Sequence, residues 1–168
     1  MRWFAVLVVL AVASPARADD DDMKGEKGRP VDKGTIGVGI ILGEPTGICA
    51  KLYLKDDQAI QLAVGSAFIG GGIQVHADYV LHPWILQDKE SFVLPVYIGP
   101  GVRFIDYTAS TGDHGAVGLR AVAGLLFDFK NVPLDAFLEV AGVGEYDFGK
   151  GQGWGVKLNF GAGIRYYF

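Results

Sequence analysis

From Trp154 to Phe168 the chain alternates without a break. The even positions read Trp154, Val156, Leu158, Phe160, Ala162, Ile164, Tyr166 and Phe168; the odd positions read Gly155, Lys157, Asn159, Gly161, Gly163, Arg165 and Tyr167. One face is apolar and the other is polar or very small. A period of two is the signature of a β-strand whose two faces meet different surroundings.

The same period runs back to Gly34, punctuated by turn signals. It predicts strands at about 34–42, 47–55, 58–68, 72–82, 92–106, 116–130, 134–146 and 154–168. Short turns fall at Gly43-Glu44-Pro45-Thr46, Asp56-Asp57, Gly70-Gly71 and Asn131-Val132-Pro133. Longer loops are expected at 83–91, 107–115 and 146–153. An even number of strands with no helical segment between them closes most simply as an up-and-down barrel, which leaves no edge. No run of ~20 apolar residues exists to cross a membrane as a helix.

Periodicity alone does not say which face points inward. A soluble, lipocalin-like barrel turns its apolar face in; a membrane barrel turns it out. The polar faces are built from small residues with few charges, such as Ala59, Gln61, Ala63, Gly65 and Ala67 in the third strand. A water-exposed face carries many long charged side chains, whereas small residues suit a crowded lumen. The charges on this face also balance: Lys51, Arg103, Arg120, Lys157 and Arg165 against Asp78, Asp128, Asp135, Glu139 and Glu145. Charges withdrawn from water must pair. The expected lumen network comprises Lys51, His76, Asp78, Arg103, Arg120, Asp128, Glu139, Lys157 and Arg165, with Glu139 meeting one or more of Arg103, Arg120 and Lys157. Tyr53, Tyr97, Phe137 and Tyr167 are expected to point inward beside them. Phe92, Phe127, Phe129, Tyr166 and Phe168 then gather at one end of the outward faces, and Phe68, Phe104, Tyr146 and Trp154 at the other. Two aromatic girdles bounding an apolar band are what two membrane interfaces require. The predicted fold is therefore all-β, an eight-stranded antiparallel up-and-down transmembrane β-barrel over residues 34–168.

Residues 1–18 read as a secretory signal peptide. Met1-Arg2 is a positive start, Trp3 to Ala13 an apolar run, and Ala16-Arg17-Ala18 a small-x-small cleavage site. Cleavage is expected before Asp19; export together with a membrane barrel gives the outer membrane of a Gram-negative cell envelope as the expected location. Residues 19–33, opening on four aspartates, read as a flexible acidic periplasmic lead-in. Losing Arg2 and Arg17 takes the net charge from −4 to −6, which argues against nucleic acid as a partner. Cys49 is the single cysteine, so no internal disulfide forms, and it is expected to pack inside as a small residue.

Candidate chemistry is sparse. His76, Asp78 and His82 share one face, but His82 lies ~13 Å beyond Asp78 along an extended strand, too far to complete a metal site. Ser66 sits on the apolar face, His76 and His82 point the other way, and His114 lies in a loop. A nucleophile needs a base beside it; this chain is not expected to be an enzyme, nor to hold a metal or cofactor.

Two resemblances follow from the motifs. The terminal strand resembles the C-terminal recognition strand of bacterial outer-membrane barrels, with Gly163, Tyr166 and Phe168 in its fixed places and Gly161 in its polar place. That resemblance implies the barrel-assembly machinery as a partner. The segment Gly39 to Ile48 containing Gly43-Glu44-Pro45-Thr46-Gly47, with Lys51, His76-Ala77-Asp78-Tyr79 and His82, resembles an uncharacterised family of small bacterial outer-membrane barrel proteins. The architecture is also similar to OmpA-type and OmpX-type eight-stranded barrels. The expected partners are outer-membrane lipids and an extracellular ligand, not named by the sequence, at loops 107–115 and 146–153. The expected role is structural or surface-interacting, around a filled, salt-bridged lumen. A narrow pore, a lipid-modifying enzyme and a soluble periplasmic ligand-binding barrel are the alternatives.

Overall fold

The computed structural model describes residues 34–67, 71–107, 114–149 and 153–168. The expected signal peptide and acidic lead-in, and Phe68 of the expected girdle, lie outside these residues.

Eight strands follow one another along the chain: β1 (Ile36–Gly43), β2 (Thr46–Lys55), β3 (Gln58–Ser66), β4 (Ile73–Asp88), β5 (Phe92–Tyr107), β6 (His114–Phe129), β7 (Leu134–Asp147) and β8 (Gly153–Tyr167). Each pairs antiparallel with its sequence neighbours, and β1 pairs antiparallel with β8 to close the ring. Alternation is the cause. Each strand has an outer face of mainly apolar side chains and an inner face that mixes the polar and charged groups with small and some apolar residues, so a single register sends each face to its own side.

The registers also fix the stagger. A path of paired residues runs from Gly39 through Cys49, Ala63, His76, Arg103, Gly118, Glu145 and Gly155. Carried back across the β1–β8 register, it arrives about ten residues further along the line of β1. For eight strands at ~4.8 Å spacing that offset means a tilt of about 41° and a radius of about 8 Å, narrow enough for side chains to fill.

The ring is uneven. The strands β1, β2 and β3 have 8, 10 and 9 residues, while β5, β6, β7 and β8 have 16, 16, 14 and 15. The wall formed by β5 to β8 therefore rises above the β1–β2 turn. The backbone ladder between β8 and β1 ends at Gly161 and Gly43, with one further bond from Glu44 N to Phe160 O at 2.8 Å. At that turn Gly43 has φ +127°, and a Cβ there would stand 2.1 Å from Phe160 O, so only glycine lets the chain pass.

Three sequence expectations need correction. The loop expected at 83–91 is mostly strand, because β4 continues to Asp88 against β5 through two register shifts, between Leu81 and Trp84 and between Ile85 and Gln87. The loop expected at 107–115 is shorter, since Tyr107 ends β5 and His114 and Gly115 begin β6. The loop expected at 146–153 is shorter too, since Tyr146 and Asp147 belong to β7 and Gly153 to β8.

Polarity is distributed inside out. The interior holds a tight apolar cluster including Ile41, Tyr53, Val80, Tyr97, Leu126, Phe137 and Tyr167, and with it buried Lys51, Asp78, Arg103, Arg120, Asp135, Glu139, Glu145 and Arg165. The outer surface carries exposed Ile40, Ile48, Leu62, Val75, Val102, Leu119, Leu138 and Leu158, at least one large apolar residue from every strand.

Candidate functional site

The interior charges lie in three tiers. At the end where Tyr167 lies, Arg165 forms a two-pronged pair with Asp135: Nε donates to Oδ1 at 2.9 Å and Nη2 to Oδ2 at 3.1 Å. Its Nη1 donates to Gln61 Oε1 at 3.0 Å, and its guanidinium lies 4.2 Å from the centre of the Phe137 ring. The Tyr167 hydroxyl donates to Asp135 as well. Planar bidentate pairing with aromatic stacking is the geometry for which arginine is suited. Asp128 is buried opposite Asp135 across the β6–β7 ladder. Nearby, Lys51 Nζ is 2.8 Å from His82 Nε2 and sits over the Tyr53 and Tyr97 rings. His82 Nδ1 lies 3.2 Å from the carbonyl of Asp57. Donation by Nδ1 leaves Nε2 as the acceptor for the ammonium, which assigns the neutral tautomer.

The middle tier centres on Arg120. Its Nε donates to Asp78 Oδ2 at 3.0 Å and its Nη2 to Glu139 Oε1 at 2.6 Å. The Tyr97 hydroxyl donates to the other Glu139 oxygen at 2.8 Å. His76 Nε2 stands 3.8 Å from Asp78 Oδ2. His76, Asp78 and Glu139 bring ligand-type atoms within 4.8 Å of one another. Arg120 lies among them and supplies the positive charge, so a divalent cation would face a guanidinium at contact distance.

The upper tier joins four strands and a turn. Arg103 Nη1 is 3.0 Å from Glu145 Oε2, and Lys157 Nζ is 2.6 Å from Glu145 Oε1. Tyr107 donates to the same carboxylate at 2.9 Å and also meets Lys157. Glu44, in the β1–β2 turn, folds inward: its carboxylate is 3.7 Å from Arg103, and its carbonyl accepts from Gln74 and Asn159, each at 3.4 Å.

These tiers sort the predicted residues. Of the three bases proposed for Glu139, Arg120 meets it, while Arg103 and Lys157 meet Glu145 one tier up. Lys51, a member of the expected network, meets the His82 ring. His76 and Asp78 are adjacent, and His82 points to Lys51. Glu44 is the member that sequence reasoning missed. It adds a sixth interior carboxylate, and a single acidic residue in a Pro-containing turn carries no signal that it folds inward. Cys49 is buried on the inner face of β2. Ser66 is exposed at the end of β3, and His114 turns to Asp147 at 3.3 Å.

The aromatics collect at the two ends of the outer face. Phe92 lies opposite Phe129 and 6.2 Å from Phe127, and Tyr166 packs edge-on against Phe168 at 5.0 Å. At the other end Tyr146 meets Trp154 at 5.5 Å and Phe148 at 5.3 Å, with Phe104 exposed on β5. Gly163 has a packing reason of its own, since a Cβ there would stand 2.5 Å from the Phe137 ring.

Neither protein-family models, nor curated proteins, nor solved structures give a match to this chain.

Proposed function

We propose that this chain is an integral outer-membrane β-barrel whose filled, salt-bridged lumen makes it a rigid envelope element with a surface-interaction role. The observation that carries this reading is the inverted polarity: arginine, lysine and carboxylates buried inside, and large apolar side chains exposed on every strand. In water each exposed Val, Leu, Ile or Phe would forfeit roughly 1.5–3 kcal/mol of burial. In hydrocarbon the same surface is matched, and ring closure satisfies the backbone wherever neighbouring strands pair. The aromatic clusters at both ends agree with two interfaces. A soluble ligand-binding barrel would need an apolar cavity, whereas Arg165, Tyr97, Lys51 and Leu126 fill this interior. The same filling disfavours a steady pore. The uncharacterised outer-membrane family suggested by the GEPTG turn with Lys51, His76-Ala77-Asp78-Tyr79 and His82 belongs to this reading, as does the recognition-type terminal strand.

The test is migration in SDS with and without boiling, on protein from separated cell fractions. An outer-membrane protein that runs at a different apparent size before heating supports the reading. A protein released with soluble periplasm, with no heat shift, overturns it.

A further inference from the structure

The wall built by β5 to β8 ends in a strand edge that no described residue pairs. β8 pairs with β7 along its whole length, from Gly153 to Tyr166, but with β1 only from Gly161 to Tyr167. Phe160 O accepts from Glu44 N, and Phe168 N donates to Ile36 O. The even-numbered residues of β8 therefore direct their N–H and C=O towards the β1 side. Above Phe160 these are Trp154, Val156 and Leu158. Val156 and Trp154, at 86% and 77%, are the most exposed large apolar residues of the described chain.

Both faces of this edge are open as far as Leu158; beyond it the Asn159 side chain is buried and donates to Glu44 O. On the inner face, a Cβ built at Gly155 would meet nothing within 4 Å. The Lys157 side chain beside it is 37% exposed although it pairs with Glu145. The outer face offers Trp154, Val156 and Leu158. An extended backbone laid along the edge would thus find three residues' worth of main-chain groups. It would also find apolar neighbours on one side, and space beside a lysine on the other.

We propose that the β8 edge from Gly153 to Leu158 is an addition site for an extended segment of another polypeptide in which apolar and acidic residues alternate. Main-chain hydrogen bonds supply the attachment; the alternation supplies the selectivity. The proposal rests on the membrane-barrel reading and deepens its interaction role. A second copy of this chain does not fit the edge. Two copies in one membrane keep the same vertical sense, so their β8 strands both descend and cross at about twice the ~41° tilt, which permits no ladder.

The test uses the folded protein in detergent micelles, isotope-labelled for backbone amide NMR. It is titrated with a seven-residue peptide alternating valine and glutamate, and with a valine–lysine counterpart. Binding of the valine–glutamate peptide is expected to slow hydrogen exchange at Trp154, Val156 and Leu158, with the lysine peptide at least tenfold weaker. Val156→Pro removes one donor and places its ring on the free side, a position an edge strand tolerates. It is expected to abolish binding while the heat-dependent migration stays as in the parent. Three results overturn the proposal: amides already protected in the free protein, no amide response to either peptide, or protection that follows protein concentration and signals self-association. Each is read on a protein whose folded spectrum and heat shift are intact, so the membrane-barrel reading stands or falls separately.

Discussion

Arg120 bridges carboxylates from β4 and β7, and Tyr97 on β5 gives its hydroxyl to the second of them. Removing one member of such a set leaves a buried charge without its partner. Glu139→Ala is expected to cost about 3–5 kcal/mol, read as a lower denaturation midpoint in micelles; an unchanged midpoint would show the bridge contributes nothing. Packing around Tyr97 gives a second expectation. A Cβ at Gly124 would stand 2.3 Å from the Tyr97 ring, whereas one at Gly142 would meet nothing within 4 Å. Gly124→Ala should destabilise by about 1–3 kcal/mol and Gly142→Ala should not, measured side by side. At this scale the sequence reveals sidedness but not partnership. Parity alone puts Arg103, Arg120, Glu139 and Glu145 on one face. Which base meets which acid depends on the ten-residue stagger of eight strands, and no single strand encodes it. Hence Lys51 meets His82, and Glu139 meets Arg120 alone among its three proposed partners.

Strands are legible where alternation is unbroken, as in β5, β6 and β8, whose ends fall within two residues of the expected ones. The lower part of β4 was hidden for a physical reason. Two register shifts within seven residues erase the period of two, and Pro83 looks like a terminator although a proline is tolerated on an edge or at a bulge. The β1–β2 turn shows the opposite case, readable as a turn but not as a cap. Thr46 Oγ1 accepts from Gly43 N at 3.0 Å and donates to Gly43 O at 3.1 Å. This holds the hairpin end shut while Glu44 reaches Arg103. Thr46→Val keeps the shape and loses both bonds, and is expected to cost about 1 kcal/mol. Equilibrium unfolding in micelles measures it, and backbone exchange at Gly43 should rise in the same variant.

Over the whole molecule, the charges are screened by protein and not by ions. The side chains of Arg165 and Asp135 are each 1% exposed. Between about 0.1 M and about 1 M salt the Debye length falls from about 10 Å to about 3 Å, which erases surface attractions but barely reaches pairs of this kind. The melting midpoint in neutral detergent should therefore move little over that range. A loss as large as that of Glu139→Ala would mean the network touches solvent ions. One further consequence follows from the way the ring is joined. Every ladder but one links strands adjacent in the chain, so seven of the eight form by folding back over a short connection. The β1–β8 ladder alone joins the two ends of the strand series, and it has seven paired positions against fourteen for β5 and β6. Closing that loop carries the largest entropy loss of any step. The hairpins are thus expected to zip in sequence, with the β1–β8 seam closing last and opening first.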